Sequence, residues 1–324
     1  MQIPRPTWLF SFLLIFVVAV PASAQELFPP CLDQGWDFSS SLLLLKPNGR
    51  EDESLLFFST GEMDAYNGSN FNLNYESGIE FELTRHLTED LRLSGSYFQV
   101  FQSGADESGV LAPGTYRFET TPPSTFDLGA ASPSTTALQS EFLSAELNLE
   151  HDLNDFITVL FGFRYFGFDD KLSFLMRDPG NFNYYRWGTQ NDLYGGQIGT
   201  EVLLWEEDWF RLDFTGKFAV FNNQVEGSFI AQDDTLSFNN FADESSETTS
   251  TMFDLHTEGT FFLTDHWSFI AGYRVIFVDS VAFSTEQITQ TSEFDGANER
   301  ESIDLAMNDE LFLHGFNFGF LCTW

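Results

Sequence analysis

Phe71-Asn72-Leu73-Asn74-Tyr75-Glu76-Ser77-Gly78-Ile79-Glu80-Phe81-Glu82-Leu83 decides how the rest of this chain is read. Its odd positions are apolar apart from Ser77, and its even positions are polar or glycine. A period of two belongs to an extended strand with one greasy face and one polar face. Working outward from it, the same alternation recurs in about ten segments, at 36–46, 71–84, 91–102, 138–150, 156–168, 191–205, 209–222, 250–263, 267–283 and 309–324. Most are longer than the ~9–11 residues that a tilted strand needs to cross a bilayer.

The connections alternate in length. Short turns lie at Arg85–Asp90, His151–Asp155, Glu206–Asp208 and Thr264–His266, and long polar stretches lie between them at 47–70, 103–137, 169–190, 223–249 and 284–308. Short turns on one side and long loops on the other are the arrangement of an outer-membrane barrel. The expected fold is therefore an all-β, transmembrane, antiparallel up-and-down β-barrel of about ten strands with both termini periplasmic. Leu55-Leu56-Phe57-Phe58 either extends a strand or, with one further loop segment, raises the count to 12.

Tryptophan supports this orientation, because indole prefers the boundary between headgroups and hydrocarbon. Trp36, Trp205, Trp209, Trp267 and Trp324 all fall at the short-turn ends of strands, as a periplasmic aromatic girdle would, while Trp187 falls in a long loop. The last strand places Phe316, Phe318, Phe320, Cys322 and Trp324 on one face. An apolar face ending in a carboxy-terminal aromatic resembles the signal by which such barrels are handed to their insertion machinery.

Composition agrees. The 324 residues are 43% hydrophobic and 17% aromatic, with 14 Lys and Arg against 49 Asp and Glu, a formal charge of −35. So many aromatics exclude a disordered acidic chain, and so negative a charge excludes nucleic acid as a principal partner. Arg5, the apolar run Trp8–Val20 and Ala22-Ser23-Ala24 read as a secretory signal over 1–24. A periplasmic segment over 25–35 and a single barrel domain over 36–324 would follow. Cys31 and Cys322 allow one disulfide across the seam between first and last strands.

The polar face of the strands assigns Glu76, Glu80, Glu82, Arg92, Glu146, Glu150, Arg164, Glu201, Arg211, Asp213, Lys217, Asp254, His256, Glu258 and Arg274 to the lumen. Expected pairs are Glu82 with Arg92, Glu201 with Arg211 and His256 with Arg274. The acidic excess makes small cations the natural solute of any pore, and the same residues serve equally as a polar core. Gly195-Gly196-Gln197-Ile198-Gly199 is no dinucleotide loop, since no helix follows it. No cofactor motif or metal-ligand spacing is present. Two other classes stay open. Asp254, His256 and Glu258 alternate on one face, a spacing compatible with acid–base chemistry of the kind omptin proteases carry on ten-stranded barrels. The acidic runs Glu51-Asp52-Glu53, Asp169-Asp170, Asp233-Asp234 and Asp243-Glu244 suit adhesion or divalent ions, though none matches a twelve-residue calcium loop.

Gly162-Phe163-Arg164-Tyr165 running to Asp170, Asn191 through Gly199, Ala271-Gly272-Tyr273-Arg274 through Val281-Ala282, and Phe312-Leu313-His314-Gly315 resemble the outer-membrane β-barrel porin family of planctomycete bacteria (beta-barrel porin type seven). The resemblance covers roughly residues 138–324, and Ser280 stands where its pattern has glycine. It implies an outer-membrane barrel with a transport role and supplies no catalytic residue.

Overall fold

The structure is a computed structural model that describes residues 35–48, 54–58, 63–67, 74–118, 124–178, 181–233, 239–292 and 302–324. The secretory signal, most of the 25–35 segment and Cys31 lie outside the described residues.

Ten strands close into one antiparallel barrel: β1 (Trp36–Asn48), β4 (Glu76–His86), β5 (Leu91–Leu111), β8 (Ser132–Asn154), β9 (Ile157–Asp178), β10 (Asn181–Glu207), β11 (Phe210–Asp233), β12 (Asn239–Phe262), β13 (Trp267–Val281) and β16 (Asp309–Thr323). Each pairs with its predecessor among these ten, and β1 pairs with both β4 and β16, so no edge is left open. The seam is fastened at its lower end by Trp36 and Trp324, whose backbones exchange two hydrogen bonds of 2.8 and 3.0 Å. Leu55-Leu56-Phe57-Phe58 adds no barrel strand. It lies in β2 (Ser54–Phe58), which joins β3 (Met63–Asn67), β6 (Gly114–Phe118) and β7 (Ser124–Leu128) in a separate four-stranded sheet, while β14 (Thr291–Ser292) and β15 (Ser302–Ile303) form a two-stranded one.

Three of the five long loops expected from sequence are largely strand. β9 runs 22 residues and β10 runs 27, pairing down to Asp178 opposite Asn181; β11 and β12 run 24 each, and β5 and β8 run on to Leu111 and from Ser132. Their polar outward faces hide the strand signal, because alternation is legible only where one face is apolar. Inside this extension Leu172, Phe174, Trp187 and Phe229 form a buried cluster with Phe118 of β6. Trp187 is thus a core residue and not a loop residue, with Phe118 at 5.2 Å and its Nε1 donating to Thr291 Oγ1 at 3.0 Å.

On the outward face, an apolar belt of Leu147, Phe161, Phe163, Ile198, Val220, Phe253, Phe316 and Phe318 is exposed. Its lower limit is the five-tryptophan ring. By strict alternation from Glu201, Trp205 would point inward. A register slip between Leu203 and Trp205 sets it opposite Leu212, on the outward face. The upper limit is a ring of tyrosines: Tyr97, Tyr165, Tyr194 and Tyr273 share the outward parity of their strands, Tyr75 just before β4 lies 6.1 Å from the outward Phe316 ring, and the Tyr165 and Tyr194 rings meet tilted at 4.9 Å. Tyr194 and Trp205 bracket ten residues of β10, about one bilayer crossing. His314 also faces outward, and shares a 2.8 Å hydrogen bond with the Tyr273 hydroxyl.

Candidate functional site: the layered lumen

The inward faces of the strands build the lumen in layers. Lowest, beside the short turns, is an acidic chamber. Arg92 pairs with Glu150 at 3.2 Å and with Asp152 at 3.3 Å. The expected Glu82–Arg92 pair does not form, because Glu82 lies opposite Ser96 while Arg92 lies opposite His86, four positions nearer the turn. Glu82 accepts from the Thr84 hydroxyl at 3.5 Å instead. Glu201 and Arg211 meet at 3.3 Å, and Arg211 also holds Asp213 at 2.8 Å. His256 is the register partner of Arg274, yet its side chain turns to Asn317 at 3.0 Å and lies 3.7 Å from Glu258. Directly opposed pairing gives way there because Arg274 takes the diagonal neighbour Asp254 on β12 and reaches Glu80 on β4. Glu76 sits on the same inward parity at the other end of β4.

Above the chamber, at the eighth residue of β9 and of β13, lies a compact charged layer. Arg274 grips Asp254 through two bonds of 2.6 and 2.9 Å and reaches Glu80 at 2.7 Å. Arg164, fully buried, donates to Asp254 at 2.8 Å and to Ser144 at 2.9 Å, with Glu146 at 3.3 Å. Lys217 and Gln197 each donate to Glu146 Oε2 at 2.8 Å. Three cations therefore meet three carboxylates, and the guanidinium of Arg274 also lies 4.9 Å from the Phe98 ring. Burial without pairing would cost several kcal/mol for each ion, so neutrality and many hydrogen bonds are conditions for this layer to exist.

Higher again, Phe98, Phe142, Phe166, Phe168, Phe221 and Met252 turn inward as an apolar layer, with Phe142 and Phe168 stacked at 5.1 Å. Over it the chain after β13 does something its sequence did not announce. The sequence reads 267–283 as a strand and 284–308 as an outside loop, but β13 ends at Val281 and the chain from there folds into the barrel. Val281, Ala282, Phe283, Ser284, Gln287, Ile288 and Thr291 are buried, and Gln287–Gln290 form a short helix, α1. Asn191 holds Ala282 at both ends, accepting from its amide at 2.8 Å and donating to its carbonyl at 2.9 Å. Asp170 accepts from the Ser284 amide at 2.9 Å and hydroxyl at 2.5 Å, and from Ser140 at 2.8 Å. Gln287 ties down Ala306 with bonds of 3.0 and 3.1 Å.

Asn148, Ser144, Gln197, Asn191, Asn223 and Asn317 were missed by sequence reading, which collected charged residues alone, and Asp170, read as part of an acidic loop run, is a buried inward residue of β9. All share the inward parity of their strands, so applying the alternation to neutral polar side chains would have found most of them. Cys322 carries a free thiol near the seam. Among the described residues no group of three His, Cys, Asp or Glu side chains converges as a metal site.

No known protein family matches this chain, and no curated protein matches it. Among solved structures it is similar to the outer membrane protease OmpT from Escherichia coli, at 10% identity over 91% of this chain and 98% of that chain, TM-score 0.47. It is also similar to the P. putida toluene transporter TodX, at 9% identity over 93% and 91%, TM-score 0.29, and to a Pseudomonas aeruginosa FadL homologue, at 8% over 90% and 90%, TM-score 0.25. At these identities and scores none of them bears on what this chain does.

Proposed function

We propose that this chain is an outer-membrane surface barrel whose lumen is closed to solutes, with an acidic chamber that draws small cations to its tryptophan end. The observation that carries the reading is the charged layer, whose ion pairs run from wall to wall. A ten-stranded barrel lies near the size that its own side chains fill. Here those side chains meet, and the Phe layer and the inward-folded segment lie over them. The apolar belt between a Trp ring and a Tyr ring supports a bilayer as the surrounding phase, and the short turns support a periplasmic assignment for the Trp side. The carboxy-terminal aromatic strand fits delivery by the barrel-insertion machinery.

Asp254, His256 and Glu258 support a structural reading better than an enzymatic one. Asp254 is saturated by two guanidinium groups, and His256 is engaged by Asn317. The experiment is single-channel recording of purified protein in a planar bilayer under a salt gradient. The closed reading expects no steady conductance at moderate voltage. Steady open channels from the unmodified protein would replace it with an open pore, whose reversal potential would then test cation preference.

A further inference from the structure

The inward-folded segment fills a space that the barrel does not need filled in order to close. All ten strands are hydrogen-bonded around the ring, and the charged layer braces the walls below. What the segment occupies is an apolar cup. Phe98, Phe142, Phe166, Phe168 and Phe221 line it, and Val281 and Phe283 belong to the same buried cluster, with the Phe283 ring edge-on to Phe168 at 5.0 Å. The segment is held as a ligand would be, by wall side chains gripping its backbone: Asn191 and Thr189 on Ala282, Asn223 and Ser250 on the Ser280 carbonyl, and Asp170 on Ser284.

Buried polar atoms without partners occur at several levels of the barrel, and two of them, with one strained residue, lie along the seam between segment and wall. Ser280, where β13 gives way to the segment, sits at φ 60, a left-handed conformation disfavoured for a residue with a Cβ. Thr285 Oγ1 and Asn223 Oδ1 are buried with no hydrogen-bond partner among the described residues. Buried polar atoms left in that state favour a conformation that restores them to water.

We infer that residues 281–291 are a displaceable strap over a binding site for a small apolar molecule about the size of a phenyl ring, with Phe283 as the chain's own occupant. Ser280 is the hinge and the Asp170–Ser284 contact is the latch. When the strap swings out, Phe283 leaves a phenyl-sized space walled by phenylalanines, and an aromatic molecule takes the edge-on position against Phe168. Nothing in this requires passage through the charged layer, so the site is a cup and not a channel.

The test places a reporter on the strap. In full-length protein carrying Cys31→Ser and Cys322→Ser and refolded into vesicles, Thr285→Cys is exposed to a water-soluble maleimide. Thr285 makes no hydrogen bond through its hydroxyl, so the change is mild. The expected results are slow labelling, a rise of at least tenfold when Asp170→Ala releases the latch, and a saturable rise when benzene is added with Asp170 intact. Labelling that neither Asp170→Ala nor benzene accelerates would make the strap a fixed part of the core and overturn the proposal. Acceleration by Asp170→Ala but not by benzene would leave a moving strap and overturn the ligand site. Either failure leaves the closed-barrel reading to its own conductance test.

Discussion

Arg274 and Glu146 face each other across the full width of the barrel. Their strands, β13 and β8, are five places apart whichever way the ten-strand ring is counted, yet Arg274 Nη2 lies 3.7 Å from Glu146 Oε1. Two side chains thus cross the lumen along a diameter. Asp254, at 2.6 Å from the same nitrogen, carries the charge contact onward to Arg164 on β9. The diametric pair is the strongest support for the proposal of a closed lumen.

It also predicts what happens when the brace is cut. Arg274→Ala removes the main partner of Asp254 and Glu80 and leaves buried carboxylates short of compensation, at a cost of about 3–5 kcal/mol. Urea unfolding in lipid vesicles should register that loss. The same variant should show intermittent conductance in a planar bilayer, with cations favoured by the excess of acids left behind. A stability change under 1 kcal/mol would mean that the layer is wetter and looser than its distances imply.

Adjacent glycines should respond in opposite ways. Gly195 faces inward, and a Cβ there would meet the Val220 carbonyl oxygen at 1.9 Å, whereas one on outward-facing Gly196 would meet nothing nearer than the Gly162 oxygen at 3.9 Å. Gly195→Ala should therefore force β10 and β11 apart and cost about 1–3 kcal/mol or more. Gly196→Ala should be neutral or stabilising by about 0.4–1 kcal/mol, through a less flexible unfolded chain. Parallel unfolding curves of the two variants check both.

These residues also mark what the sequence could and could not reveal. Alternation made the belt legible because lipid demands a greasy face at every second position, and it carried the ten strands and the inward parity of Arg164, Asp254 and Arg274 with it. Beyond the tyrosine ring that demand stops. Asp169, Lys171, Ser173 and Arg177 on the outward face of β9 read as loop although they are strand. The strap was illegible for a different reason. Its polar hooks, Asn191 on β10 and Asp170 on β9, are far from Ala282 and Ser284 in sequence, and no local pattern reports a contact made only when the barrel closes. Glu80 and Glu146 as partners of Arg274 belong to the same class, since cross-strand pairing rules see neighbours such as Asp254 and not strands on the far side of the ring.

Ser280 offers a gain of stability. Its φ of 60 costs about 1–2 kcal/mol for a residue bearing a side chain, and glycine adopts that conformation freely. The Ser280 hydroxyl gives up only a 3.2 Å bond to its neighbour Asp279, while the hydrogen bonds from Asn223 and Ser250 go to its carbonyl and survive substitution. Ser280→Gly should raise the unfolding free energy by about 0.5–1 kcal/mol after the added flexibility of the unfolded chain is subtracted. A loss of stability would mean that the turn at Ser280 is not strained.

The position of the membrane can be read by walking a charge up the outside. Leu147 is 57% exposed on the outward face of β8, level with the charged layer inside, and Asn222 is exposed on the outward face of β11 one position beyond Val220 in that face's alternation. If the Trp and Tyr rings bound the hydrocarbon, Leu147→Arg places a guanidinium within it and should cost about 2–4 kcal/mol, while Asn222→Arg lies near the upper interface and should cost about 0–1 kcal/mol. The contrast should hold in vesicles and shrink in short-chain detergent, where the arginine can reach water. Equal costs at both positions would move the apolar belt away from the span between Trp205 and Tyr194, and the assignment of the two aromatic rings to the two interfaces would go with it.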